Sequence, residues 1–239
     1  MRNYDPADEM LGGFTSRDGT IEFYNRINAL LQPRFKVLDL GAGRGAWCFT
    51  EKAEYKRTLR NLKGKVDEYI GADVDTVVLS NPTTDRNVLI KDGLIPLGDC
   101  EADVVICDWV LEHIVDMASF KREVDRVLKT GGFFCARTPH SFSYVSLAAR
   151  AVKNSSHARF LRWIQPNRKA QDAFPTAYRC NTQRAVSRWF EGWKNYTYLY
   201  TAEPSYYFGS KALFHVMNLM HRLAPRAMTA SLFIFLRKP

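Results

Sequence analysis

Three aspartates stand at the ends of apolar runs, and one of them leads into a glycine-rich turn. Asp39 lies in Val37-Leu38-Asp39-Leu40-Gly41-Ala42-Gly43-Arg44-Gly45-Ala46. The run reads as a short buried strand that ends in a tight turn and opens a helix. Glycines there let the backbone turn with positive φ and approach a ligand closely. The helix start behind them offers unpaired N–H groups. Asp39 sits two positions before the first glycine, where a carboxylate repels a pyrophosphate and attracts a cation. Asp73 ends Glu68-Tyr69-Ile70-Gly71-Ala72-Asp73, and Asp108 ends Ala102-Asp103-Val104-Val105-Ile106-Cys107-Asp108. One acid at a strand end is an ordinary capping residue. Three around one crevice favour a site for a positively charged ligand.

The elements that position these acids follow from periodicity. Ile21, Tyr24, Ile27, Asn28 and Leu31 share one face at helical spacing, which predicts a helix over 20–31 ended by Pro33. A helix over 46–62 with a basic outer face is expected after the glycine turn. Short strands are expected over 37–40, 68–73, 87–90, 102–108 and 133–138. Asp116 reads as the cap of a helix over 117–128, closed by Gly131-Gly132. Strands and helices alternating at this spacing imply a parallel sheet with helices on both faces. Ligands of such sheets bind beyond the carboxyl ends of the strands. The stretch from His140 to Asn181 breaks the alternation, with a helix over 144–153, a basic stretch holding Trp163 and a loop over 172–179. A helix over 182–190, a strand over 193–202, a helix over 211–223 and a last strand over 232–237 complete the chain.

The chain has 239 residues and a formal net charge of +9. That is enough length for one large domain, 1–239, with an N-terminal helical cap over 1–34 and an insertion over 139–182. The charge admits nucleic acid, a membrane surface or an acidic substrate as partner, but the basic residues are scattered rather than packed into a tract. The five cysteines show no zinc-like spacing with histidine, so no metal site is expected, and their pattern suits a reducing cytoplasm. The opening residues are polar and acidic, so no leader is expected. No apolar run reaches the ~20 residues that span a bilayer. Surface contact with the inner face of the membrane stays open, because 212–219 and 228–236 are apolar.

Loosely taken, Gly41-x-Gly43-x-x-Ala46 fits a dinucleotide fingerprint. The tighter reading, Asp39-x-Gly41-x-Gly43-x-Gly45, resembles the first motif of the class I S-adenosylmethionine-dependent methyltransferases. That resemblance implies a Rossmann-like, doubly wound and mostly parallel sheet of seven strands, with an antiparallel last strand and a helical insertion after strand five. It implies S-adenosylmethionine as cofactor. Asp39, Gly41, Ala42 and Gly43 would face its amino-acid part. Asp73, with Val74 beside it, lies where the family places an acid on both ribose hydroxyls, and a carboxylate has two acceptors at the spacing of a vicinal diol. Asp75 competes for that role. Asp92-Gly93 resembles the turn that contacts the adenine amino group. Asp108, Trp109 and Val110, followed by Leu111-Glu112-His113, resemble the motif lining the methionine end.

Three further stretches are similar to methyltransferases of bacterial polysaccharide biosynthesis clusters. They are Asp18-Gly19-Thr20-Ile21-Glu22-Phe23-Tyr24, Thr138-Pro139-His140 with Phe142-Ser143-Tyr144, and Phe174-Pro175-Thr176-Ala177-Tyr178-Arg179-Cys180-Asn181-Thr182. They imply O-methylation of a sugar or glycan-linked small molecule. An alcohol must lose a proton on attack, so a base is wanted. His140, directly after strand five, is the first candidate and His113 the second; either can instead be a hydrogen-bonded structural histidine. Tyr178 and Arg179 in the insertion, and Tyr24 in the cap, are candidate acceptor contacts, while Arg179 can equally brace its loop against Asp172. Two other readings stay open: a methyltransferase for a quinone or other lipid-soluble molecule, and a non-catalytic binding module. A nucleic-acid methyltransferase is disfavoured, because Asp108 is followed by Trp109-Val110 rather than by the Pro-Pro-aromatic pattern of enzymes acting on base amino groups.

Overall fold

The computed structural model describes residues 4–151, 176–204 and 206–239. One sheet runs through them, built from β1 Lys36–Leu40, β2 Glu68–Asp73, β3 Arg86–Leu89, β4 Ala102–Asp108, β5 Leu128–Pro139, β6 Lys194–Asn195, β7 Tyr198–Tyr200 and β8 Ser231–Arg237. Its order is β3-β2-β1-β4-β5-β8-β6, with β7 also on β8. The first five strands are parallel, and β8 runs antiparallel between β5 and the β6–β7 edge. This is the expected Rossmann-like α/β fold. The eight segments reduce to seven strands, because β6 and β7 keep one register on β8. Lys194 faces Arg237 and Tyr200 faces Ser231, while Tyr196 N–H donates to the Phe235 carbonyl between them at 2.9 Å.

The alternation of side chains along each strand feeds two cores. On one face, Val37, Val104, Ile106 and Phe233 pack with Phe23 and Ile27 of helix α1 (Gly19–Leu30) and with Leu59. On the other, Leu38, Val105, Phe134 and Ile234 pack with Val124 and Val127 of α4 (Met117–Val127) and with Val186 of α6 (Gln183–Trp189). Asp18 and Asp116 cap α1 and α4, each accepting from two backbone N–H groups of the first turn.

Three expected elements differ. The helix over 46–62 is two short ones, α2 Trp47–Thr50 and α3 Glu54–Arg60. Between them Glu51 Oε1 accepts from Ala53 N–H, and Arg57 Nη1 donates to the Glu51 and Lys52 carbonyls at 2.7 and 3.2 Å. Side chains thus satisfy backbone groups that helix continuation would have used. Gly131-Gly132 does not close α4, which ends at Val127. It lies within β5, where pairing slips between Ala102 opposite Leu128 and Val104 opposite Phe133. A Cβ on Gly132 would lie 2.8 Å from the Asp103 carbonyl oxygen. The expected strand over 193–202 is the interrupted β6–β7 edge. Helix α5 covers Tyr144–Ala151 and α7 covers Lys211–Leu223, followed by the short α8 Arg226–Thr229. The basic stretch with Trp163, and the loop as far as Pro175, lie outside the described residues. No helix among the described residues is long and apolar enough to cross a membrane. All five cysteines are free thiols.

Candidate active site

β1 and β2 lie side by side with Leu40 opposite Ala72, so their carboxyl ends meet. The Ala72 carbonyl accepts from the N–H of Gly41 at 2.7 Å and of Ala42 at 3.3 Å. One residue on, Asp73 Oδ2 accepts from Gly43 N–H and its Oδ1 from Asp75 N–H, both at 2.9 Å. Asn81, 4% exposed, holds the turn from behind: Nδ2 donates to the Ala42 and Gly43 carbonyls at 3.2 and 3.1 Å. The glycines differ in what they permit. A Cβ on Gly41 (φ +78°) would fall 2.2 Å from Val110 Cγ2. A Cβ on Gly43 (φ +53°) would meet only Asp73 Oδ2, at 4.0 Å. Gly41 is therefore closed by packing against the β4 end, and Gly43 fronts open space beside the Asp73 carboxylate.

Behind the rim lies a polar cluster on the α1 face of the sheet. Tyr69 hydroxyl donates to Asp39 Oδ2 at 2.8 Å. Burial pushes the Asp39 carboxyl up to about 7, with Asp108 and Asp73 adding to the rise and the Tyr69 bond and Arg60 opposing it. Asp108 behaves in the opposite way. Burial pushes its carboxyl up, but Arg137, Arg60 and Tyr24 together outweigh burial and hold it below the usual range. Arg137 grips both carboxylate oxygens, Nε on Oδ1 and Nη2 on Oδ2 at 2.9 Å. Tyr24 hydroxyl donates to Oδ2 at 3.1 Å, and Arg60 Nη2 stands 3.8 Å away. The Arg60 guanidinium lies over the rings of Trp47 and Tyr24, 4.9 and 5.3 Å from their centroids.

Two expected contacts change character here. The Asp108 side chain is only 9% exposed and both its oxygens are clamped by the Arg137 guanidinium, so it braces the cluster instead of facing a ligand. Tyr24 is 2% exposed, with its hydroxyl on Asp108, which removes it from any acceptor surface. Trp109 at the tip of β4 is 41% exposed, with φ +60° and its ring 5.4 Å from the Arg137 guanidinium.

Residues 38–136 match the family model described as "Methyltransferase domain". Over 50 residues, 21% of this chain, the sequence is 42% identical to a probable S-adenosylmethionine-dependent methyltransferase of Mycolicibacterium smegmatis, and 40% identical to one of Mycobacterium tuberculosis. The chain spans about a fifth of the length of those relatives. Solved structures of similar fold include the YcgJ protein of Bacillus subtilis (TM-score 0.53, 16% identity, 91% of this chain and 98% of that one). An S-adenosylmethionine-dependent methyltransferase of Archaeoglobus fulgidus superposes with a TM-score of 0.53 at 16% identity, over 93% of this chain and 95% of that one. A geranyl diphosphate methyltransferase in complex with S-adenosylmethionine gives 0.56 at 11% identity, over 92% and 84%.

Over residues 38–136 the chain carries a methyltransferase domain.

S-adenosylmethionine, the methyl donor named for those relatives, fits the rim on the geometry already described. At Gly43 the space a Cβ would fill is open, and it lies beside a carboxylate. Asp39 supplies a second carboxyl whose ionisation a nearby cation favours.

The other expected residues are spread around this rim. Val74 is exposed immediately after Asp73, and Asp75 caps the 3-10 turn Thr76–Ser80. Asp92 and Gly93 both have positive φ in an exposed turn beyond β3, the next strand out from β2. The backbone N–H groups of Ala177 and Tyr178 donate to the Glu112 carbonyl at 2.6 and 3.2 Å, which brings Tyr178 (φ +50°) against the Leu111–His113 turn. Glu112 is buried and accepts from Thr138 hydroxyl at 2.8 Å. His113 is partly buried in that same turn. Arg179 is exposed, and its expected brace Asp172 lies outside the described residues. His140 is 6% exposed, with Nδ1 3.0 Å from the Ala227 carbonyl of α8. A carbonyl only accepts, so Nδ1 carries the proton of the neutral ring and Nε2 keeps its lone pair.

Sequence reasoning missed Asn81, Arg60, Arg137 and Tyr69. For Arg137 a signal existed: an arginine inside the apolar run Phe133–Thr138 needs a buried anion. Asn81 and Arg60 stand in polar surroundings and gave none.

Proposed function

We propose that the chain transfers a methyl group from S-adenosylmethionine to a hydroxyl of a sugar or glycan-linked small molecule, working in the cytoplasm. The observation that carries the reading is the Gly43–Asp73 contact, which sets an open glycine turn against a carboxylate at the carboxyl ends of β1 and β2. In this reading Asp73 takes the ribose hydroxyls. Gly41, Ala42 and Gly43 present backbone to the amino-acid part, and Asp39 faces its cationic end. Val74, Asp92 and Gly93 border the adenine. Trp109 and Val110 border the methionine chain.

When bound, S-adenosylmethionine supplies a methyl group already activated on a sulfonium. The protein's task is then orientation, exclusion of water and removal of one proton. His140 is the first candidate for that removal, supported by its Nδ1–H anchor on Ala227, which leaves Nε2 without a proton. It takes the hydroxyl proton as the oxygen–carbon bond forms and the carbon–sulfur bond breaks. His113 is the second candidate. Tyr178 and Arg179, delivered to the β4 end by the Glu112 carbonyl, hold the acceptor.

Calorimetry with S-adenosylmethionine, followed by transfer of labelled methyl to panels of nucleotide-linked sugars, glycans and reduced quinones, tests the proposal. Expected are donor binding that Asp73→Ala abolishes, and label on a sugar hydroxyl. Label on quinones alone would replace the acceptor class. Absence of donor binding would reduce the chain to a binding module.

A further inference from the structure

Helix α7 carries an inner face, covered by Tyr4, Tyr207 and Tyr144, and a second, apolar face on its outer side. Phe214 is 7% exposed and points inward, as does His221 one heptad on, whose Nδ1 is 3.3 Å from the Ala202 carbonyl. The outward side holds Val216, Leu219, Met220 and Leu223, the i, i+3, i+4 and i+7 positions of one stripe. They are 63%, 57%, 40% and 78% exposed. A helix of a free-standing globular protein places polar residues there. Here the polar residues Lys211, His215 and Arg222 lie along one flank of the stripe.

The charge around this face has one sign. Glu203 is the last acid of the sequence, and Lys211, Arg222, Arg226, Arg237 and Lys238 follow it. Lys211 is paired with Glu9 at 2.6 Å, whereas Arg222 and Arg226 form no ion pair among the described residues. Arg226 opens α8, where Met228 is a further exposed apolar residue. A second copy seated on this stripe would add the same cations to the seam, and neither α7 nor α8 carries an acid to pair them. An anionic lipid surface complements both features at once: it accepts an apolar stripe at the headgroup boundary and attracts the cations beside it.

We propose that α7 and α8 form a peripheral docking face for an anionic phospholipid bilayer, lying in its interface. The inference is independent of the acceptor reading. It adds that α8, whose Ala227 carbonyl anchors His140, is held at the membrane surface.

Flotation of the full chain with vesicles tests it. One set contains phosphatidylglycerol in phosphatidylcholine, the other phosphatidylcholine alone. Expected is co-flotation with the anionic vesicles that weakens with salt. The pair Arg222→Gln and Arg226→Gln should reduce it by roughly tenfold. The pair Leu219→Glu and Leu223→Glu should abolish it while leaving donor binding and the melting temperature near wild type, because both side chains are exposed. Failure to float with either vesicle overturns the proposal. So does a wild-type dimer in solution that the leucine pair dissociates, which would assign the stripe to a second copy.

Discussion

Arg137 holds Asp108 through two guanidinium nitrogens, and residues of α1 close the pair from above. Tyr24 hydroxyl reaches Asp108 Oδ2 at 3.1 Å, and Arg137 Nη1 donates to Thr20 hydroxyl at 3.2 Å. The N-terminal helix is thereby tied to the carboxyl ends of β4 and β5, beneath the tip that carries Trp109. The order of the site depends on this tie as much as on the glycine turn.

Removing one partner should be far worse than removing both. Both side chains are under a tenth exposed. Asp108→Ala strands a buried guanidinium, and a loss of about 3–5 kcal/mol is expected in denaturant unfolding. The double change Asp108→Leu with Arg137→Met should recover much of that loss. Equal stability of wild type and Asp108→Ala would show that the pair is a surface-like contact.

The two glycines should separate stability from donor binding. Gly41→Ala drives a Cβ into Val110 and should lower the melting temperature markedly. Gly43→Ala has room, so its cost should be that of a left-handed alanine, about 1–2 kcal/mol. Its methyl group fills the open space beside Asp73, so donor affinity should collapse in a protein that remains folded. Calorimetry paired with thermal melts checks this, and normal donor binding by Gly43→Ala would place the cofactor elsewhere.

Asp39 should make the ligand-free protein less stable as pH rises. Its carboxyl titrates near 3.8 when unperturbed and at about 7 in the folded chain. Between those values the unfolded state has already lost a proton that the native state keeps, so unfolding is increasingly favoured with pH. The change should reach up to about 4 kcal/mol relative to Asp39→Asn across that window. Donor binding should run the other way, tightening up to about pH 7 as the carboxylate forms. Parallel stability curves for wild type and Asp39→Asn would show an acid already ionised at low pH.

How far the sequence foretold these features depends on the range of the forces involved. β2 and β4 match their expected bounds because each is an apolar run with an acid at its end, and α7 matches because Ser210 caps its first turn while the apolar spacing persists to Leu223. These are local signals. The split between α2 and α3 depends on Arg57 folding back onto two carbonyls, and a helical pattern does not reveal that. Gly131-Gly132 looks like a helix stop, yet close approach to the Asp103 carbonyl is what demands Gly132. That Asp39 and Asp73 sit at the carboxyl ends of β1 and β2 was legible from position. The removal of Asp108 and Tyr24 from the ligand surface was not, because it required knowing that Arg137 and Arg60 converge there from β5 and α3.

His140 is the last relationship open to a decisive substitution. Its ring is buried and its Nδ1 faces the Ala227 carbonyl, so alanine would remove an anchor together with a base. Glutamine separates the two, because its amide can donate to Ala227 but cannot take a hydroxyl proton. His140→Gln should keep the melting temperature and donor affinity of wild type while methyl transfer falls by ~10²–10⁴-fold. His113→Gln, in the neighbouring turn, should leave transfer within severalfold of wild type. If His140→Gln transfers normally and His113→Gln does not, the base is in the Leu111–His113 turn, and His140 serves only to fasten α8 to the end of β5.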